Sequence, residues 1–318
     1  MKSKTIYRVR NWPEYDQALC QRGSLTFWVS EEVAQNWTMA GKSGRRGASH
    51  LYSDEAIETM ASLRILFHLP GRACEGFLRS LFALMKLDLP VPDHSTLSRR
   101  LADLDIQIPQ HLAQAAGPLH VLIDSSGFKV LGEGEWKVRI HGKGKRRKWL
   151  KLHLSVDGNT GEVVAALTTV ATCGDAPQVT DLLEQIEEPI AQVSADGAYD
   201  AEHVYRDVRL RGAKATIPPR KGAKIWFDQR SPGNKGVRHD RDQNLRTIRK
   251  KGKAAWKRES GYSKRSNIES TFSRDKRCLG DKLHSRTEPN GLAELLLHPV
   301  LLNKMWHLGQ PKTEAVTL

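Results

Sequence analysis

The sequence predicts an α/β protein in which a mixed-sheet domain follows an all-α, helix-turn-helix-like module. Apolar residues recur at three- and four-residue steps from Ser53 to about Asp103, three strand-like runs follow between Leu119 and Val170, and helix and strand patterns alternate from Ala176 to Ile217. The 318 residues suit about two domains. The pattern divides them into an N-terminal arm with a basic linker (1–50), a helical module (51–110) and a sheet domain (115–310) carrying a basic insertion at 220–258.

The arm holds Trp12, Trp28 and Trp37 and leads into the basic stretch Gly41 to Gly47. Gly41-Lys42-Ser43 imitates the end of a phosphate-binding loop, but the position of the first required glycine is Asn36, so nucleotide binding is excluded. Ser53 caps the first helix of the module, with Asp54 and Glu55 in its first turn, and a second helix covers Arg72 to Met85. Asp93 caps a third, from His94 to Asp103, in which Leu97 and Leu101 face inward. Ser95, Thr96, Ser98, Arg99 and Arg100 are left outward, as on a helix that reads DNA; three short helices also pack together without DNA.

The apolar run Leu119 to Ile123 ends at Asp124, and strands at 149–156 and 162–170 are joined by the turn Asp157 to Gly161. A helix over 176–187, a strand over 191–195 ending at Asp196, a helix over 201–211 and a strand over 213–217 complete the sheet. The stretch 218–262 has no apolar period and is expected to form basic loops and short helices outside the core, where core packing is the expected role of Trp226 and Trp256. Helices over 262–278 and 289–308 and a frayed tail from Gly309 end the chain.

Fifty Lys and Arg against 36 Asp and Glu give a net charge of +14, which favours a polyanionic partner. No stretch approaches the roughly 20 apolar residues of a membrane span, and the N-terminus has no apolar leader core, so a soluble cytoplasmic protein without a membrane partner is expected. Cys20, Cys74, Cys173 and Cys278 lie too far apart for a zinc ribbon or a disulfide framework. His120, His141 and His153 lack metal-ligand spacing.

Among 36 acidic residues, three stand out by placement. Asp124 and Asp196 each follow a buried strand run, where a carboxylate costs desolvation unless it meets water or a cation. Glu269 lies on a helical face with Tyr262, Arg265 and Lys276, all within an arc of about 60° at roughly 100° per residue, beside an apolar stripe of Ile268, Phe272 and Leu279.

Tyr262-x2-Arg265-x3-Glu269-x6-Lys276 resembles the tyrosine, arginine, glutamate and lysine signature of DDE transposases of the insertion sequence 4 and 5 groups. The segment Asp196-Gly-Ala-Tyr-Asp200 is similar to the second-aspartate region of the insertion sequence 5 family, and Asp124 stands where that family has its first aspartate. The resemblance runs from Asn11-Trp12 to about Trp306 and implies a ribonuclease H-like catalytic domain. It implies metal-dependent cleavage and strand transfer by Asp124, Asp196 and Glu269, which would hold two Mg²⁺ ions, with Mn²⁺ as a substitute. Asp124 would bridge both ions, with Asp196 on one and Glu269 on the other.

The implied partners are the terminal inverted repeats of an element, target DNA and further copies of the chain on paired ends, with the enzyme on the bacterial nucleoid when DNA-bound. Arg265, Lys276 and Tyr262 would hold phosphates, and the basic run that includes Lys145, Arg146, Arg147 and Lys148 would line a DNA channel with the insertion. Two other readings use the same residues: a DNA-binding repressor or domesticated transposase without chemistry, and a ribonuclease H-like nuclease without strand transfer.

Overall fold

The computed structural model describes residues 5–39, 51–110, 117–130, 148–227 and 239–317. They fall in two compact units, one from Met1–Pro109 with Val300–Leu318 and the other from Gln110–Pro299.

In the first unit the arm is a strand, β1 (Thr5–Val9), and three short helices, α1 (Trp12–Gln21), α2 (Leu25–Trp28) and α3 (Glu31–Gln35). Trp37 is fully buried, donates its indole N–H to the Pro90 carbonyl at 2.7 Å and meets the Phe82 ring edge-on, which fastens the arm to the helices after it. These are α4 (Asp54–Leu66), α5 (Gly71–Met85) and α6 (His94–Arg100), the last continued by a 3₁₀ turn at Leu101–Asp103. The caps form as expected: Ser53 accepts from the Ala56 N–H, and Asp93 from the N–H groups of Ser95 and Thr96. Ile57, Met60, Leu63, Leu78, Phe82, Leu97 and Leu101 build the core between these helices.

The second unit is a five-stranded sheet in the order β4-β3-β2-β5-β6, formed by β2 (Leu119–Lys129), β3 (Trp149–Asp157), β4 (Val163–Val170), β5 (Ile190–Ala195) and β6 (Lys214–Thr216). The first three strands meander antiparallel; β5 and β6 join parallel after crossovers through α7 (Val179–Glu184) and α8 (Glu202–Leu210). This is the mixed sheet of the ribonuclease H-like expectation. Leu119, Val121 and Ile123 of β2 pack with Val179, Leu182, Val204 and Val208 of the two helices.

The insertion forms the short helices expected of it but buries residues that were expected to stay outside the core. It contains α9 (Asp240–Lys251) and α10 (Lys253–Glu259), which bury Arg241, Asp242, Asn244, Leu245 and Trp256. Trp256 packs in the core as expected, whereas Trp226 is 38% exposed and stacks on Arg241. A 3₁₀ turn at Tyr262–Arg265 leads into α11 (Ser266–Cys278), whose Ile268 and Phe272 are buried. Burying each of these side chains contributes about 1.5–3 kcal/mol. The 3₁₀ start breaks the single α-helical face expected for Tyr262, Arg265, Glu269 and Lys276.

The long α12 (Glu288–Leu308) carries Pro299, where the division between the units falls. The tail is not frayed: β7 (Thr313–Thr317) pairs antiparallel with β1. No helix among the described residues is long and apolar enough to cross a membrane. All four cysteines are free thiols.

Candidate active site

Asp124 and Asp196 are neighbours because of strand register. β2 and β5 pair in parallel with Ile123 opposite Ala195, so the next residue of each strand is an aspartate. Adjacent strands lie about 4.8 Å apart, which sets the two residues side by side. The strand does not end at Asp124, as the apolar run suggested. β5 stops there, while β2 continues to Lys129 against β3. Asp124 therefore sits in a notch of the sheet edge, 21% exposed, with its Oδ1 accepting from the Ser125 N–H at 2.9 Å. Asp196 caps the 3₁₀ turn Gly197–Tyr199 by accepting from the Ala198 N–H at 2.8 Å.

Glu269 comes from the first turn of α11, and Arg265 joins it to the sheet. One guanidinium nitrogen donates to Asp124 Oδ2 at 2.9 Å and the other to Glu269 Oε1. Glu269 remains 55% exposed, against 18% for Arg265, so the guanidinium is the inner group and Glu269 the outer. Burial raises the Asp124 pKa above the ordinary carboxylate value; the Ser125 N–H and Arg265 pull the other way, and the nearby Asp196 adds to the rise. Burial works to lower the Arg265 pKa, but Tyr262, Asp124 and Glu269 outweigh it and hold the guanidinium charged. Burial also raises the Tyr262 phenol, which remains a neutral hydrogen-bonding group.

Among the described residues no three His, Cys, Asp or Glu side chains are gathered closely enough to hold a metal ion as they stand. The chemistry of the donor set nonetheless fits one. Three carboxylates are hard oxygen donors, and Arg265 already draws two of them onto a single cationic group. A divalent ion there would have to compete with the guanidinium.

The other expected residues divide. Tyr262 is buried, with the Arg265 guanidinium 6.0 Å and the Lys257 ammonium 5.6 Å from its ring centre. Lys276 is brought elsewhere, 5.0 Å above the Phe128 ring two turns further along α11. In the first unit Ser95 and Thr96 turn their hydroxyls to Asp93, and Arg100 donates to the Tyr52 carbonyl and to Asp54. Arg99 lies on the exposed side, with one guanidinium nitrogen on Thr96. Lys145, Arg146 and Arg147 lie outside the described residues, as does His141, while Lys148 is exposed. His120 and His153 pair with Ser194 and Thr169, and burial lowers each to about 4, so both are neutral.

Sequence reasoning missed several neighbours of the site. Tyr199 is buried beside the aspartates, and its phenol is raised by burial and by Asp124. Lys264 reaches Asn159 at 2.6 Å and Asn267 the Gly158 carbonyl at 3.3 Å, tying the β3–β4 turn to α11. Tyr199 lay inside the segment that carried the resemblance, but nothing in the linear sequence marks Asn159 or Lys257.

Two family models, each described as a transposase DDE domain, match this chain at residues 20–133 and 115–303; the second covers more than half of it. Among solved structures, the chain is similar to the piggyBac transposase in a synaptic complex with hairpin DNA. That likeness has 11% identity and a TM-score of 0.39 over 90% of this chain and 73% of that one, and is too loose to add to the family match.

Proposed function

This chain belongs to the family of transposases with a DDE domain, and from that premise we propose that Asp124, Asp196 and Glu269 are its catalytic carboxylates and that it cuts and rejoins DNA at the ends of an insertion element. The observation that carries this reading is the register that places Asp124 beside Asp196 with Arg265 linking Asp124 to Glu269. The insertion sequence 5 group is the finer assignment, resting on Asp196-Gly-Ala-Tyr-Asp200 and the spacing from Tyr262 to Lys276.

Transposases with a DDE domain use divalent metal ions, and we assign Asp124, Asp196 and Glu269 as the ligands. Bound there, Mg²⁺ or Mn²⁺ would supply Lewis acidity toward a phosphate oxygen and lower the pKa of a bound water. The protein's own residues do the positioning on which phosphoryl transfer depends. Arg265, released from one carboxylate, is placed to hold a phosphate oxygen next to Asp124, and Tyr262 backs it with an apolar ring and a neutral hydroxyl.

In the first reaction a water oxygen bonds to the end phosphorus, the P–O3′ bond breaks, and a 3′-hydroxyl is released. In the second that hydroxyl attacks a target phosphorus, and the target's own 3′ oxygen leaves. We further propose that Arg99 of α6 contacts end DNA, that two or more copies pair the ends, and that the enzyme works on nucleoid DNA in the bacterial cytoplasm.

Incubation with labelled DNA bearing the element's ends tests this. Mg²⁺-dependent nicks at the ends, and joined products when precut 3′-hydroxyl ends are supplied, are expected. Nicks without joining would make the protein a nuclease, and end binding without nicks would make it a repressor.

A further inference from the structure

The loop that carries Asp196 is fastened to the insertion by a buried ion pair. Asp200, four residues after Asp196, has its side chain 1% exposed and accepts from Arg241 Nε at 2.7 Å; the Arg241 side chain is itself 5% exposed. Every part of that guanidinium is used: Nη2 also reaches Asp200, Nη1 donates to the Lys224 carbonyl at 2.8 Å, and its face stacks 3.7 Å above Trp226. Asp200 is equally committed, accepting as well from the Tyr205 hydroxyl at 3.1 Å and the Arg220 N–H at 2.8 Å.

Arg220 then reaches back along the same loop. Its side chain donates to the Gly197 carbonyl at 3.4 Å and to the Ala198 carbonyl at 3.1 Å. The loop is pressed close on that side as well, since a Cβ at Gly197 would come within 3.3 Å of the Pro218 carbonyl. The short turn between Asp196 and Asp200 is therefore gripped at both ends, by the cap at Ala198 and by two arginines from the insertion and its entry.

We propose that Asp200, Arg241 and Arg220 are positioning residues that hold the Asp196 carboxylate in place for metal binding, so the insertion serves the active site as well as any DNA it meets. The proposal rests on Asp196 being a metal ligand. A turn fixed this way keeps the Asp196 backbone, and the Ala198 N–H that its carboxylate accepts from, in register with β5 and so with Asp124. Without the grip, each ion bound would have to order the turn first, and its affinity would fall.

Replacing Asp200 strips a buried guanidinium of its counter-ion and endangers the fold, so Arg220→Ala, an exposed side chain, is the informative variant. In the full-length chain, amide hydrogen exchange by mass spectrometry over residues 196–201 and calorimetric titration with Mn²⁺ are expected to change together. Exchange should accelerate in that peptide alone, and Mn²⁺ affinity should fall about tenfold, which is about 1.4 kcal/mol. Arg220→Lys, which keeps a donor, should recover part of the affinity.

Unaltered exchange and Mn²⁺ affinity overturn the proposal. So does a loss of DNA binding with Mn²⁺ affinity unchanged, which makes Arg220 a phosphate contact. Asp196→Ala measured beside it separates the two levels. If that variant binds Mn²⁺ like the wild type, the assignment of Asp196 fails and the grip with it; if it does not, a null result for Arg220→Ala removes the grip alone.

Discussion

The two aspartates and the glutamate are placed by different physics. Asp124 and Asp196 are set by backbone hydrogen bonds: the β2–β5 register fixes their neighbourhood before any side chain chooses a rotamer. Glu269 stands on the exposed first turn of α11, behind a 3₁₀ turn, and is linked to the sheet through Arg265. The sheet half of the site is preorganised, while the helix half depends on a charge that a metal ion or a phosphate can take away. That contrast suits an enzyme that must admit ions and a polyanion before it reacts.

The largest effect expected from breaking the sheet half is in Asp124→Asn, which should lose nicking by at least about 10³-fold, the scale of removing a group that acts on transition-state charge. Its stability should move differently. A carboxyl with a raised folded-state pKa favours the fold below the ordinary value of 3.8 and loses that contribution as pH rises through the raised value. The Asn variant should therefore melt no lower than the wild type at neutral pH, and any advantage should disappear as pH falls toward 3.8. Thermal melts across that range check the sign.

Breaking the helix half through Arg265→Ala should cost about 10²–10³-fold in nicking, the scale of losing one preorganised donor. It should also free Asp124 and Glu269 from their shared partner, so that calorimetry finds Mn²⁺ binding less impaired than nicking. Mn²⁺ binding that falls as far as nicking would mean that Arg265 builds the ion site instead of competing for it.

Smaller effects separate the arginines of α6. Arg99→Ala should weaken end binding and lower the salt slope by about 1, with little change in melting. Arg100→Ala, which removes partners from Tyr52 and Asp54, should instead lower the melting temperature by about 2–4 °C with the salt slope unchanged. Smallest is Lys276→Ala, which loses a contact with the Phe128 ring worth about 0.5–1 kcal/mol. A large loss of end binding there would place Lys276 on DNA.

The sheet was readable in the sequence because its strands contain apolar runs, and Asp124 and Asp196 were visible as acids directly after such runs. Other features were hidden for physical reasons. Ser125-Ser-Gly127 resembles a turn but is held in β2 by pairing with β3, a tertiary effect that overrides local preference. The insertion has no apolar period because Arg241, Asp242 and Asn244 are buried in partnership, and pattern reading scores such residues as surface. Strands β1 and β7 were not legible, since each is short and its partner lies some 300 residues away. The signature from Tyr262 to Lys276 was read as one helical face, whereas Tyr262 and Arg265 lie on a 3₁₀ turn: Arg265 meets two carboxylates and Lys276 lies over the Phe128 ring.

The catalytic role of the three carboxylates is tested most directly by a strand-transfer assay with precut, labelled element ends, Mg²⁺ and a target plasmid. It would compare the wild type with Asp124→Asn, Asp196→Asn and Glu269→Gln, each confirmed as folded by its melting curve. Joined product is expected from the wild type only, dependent on Mg²⁺ and absent from all three variants. Joining that persists at wild-type rate in any one of them would contradict that role.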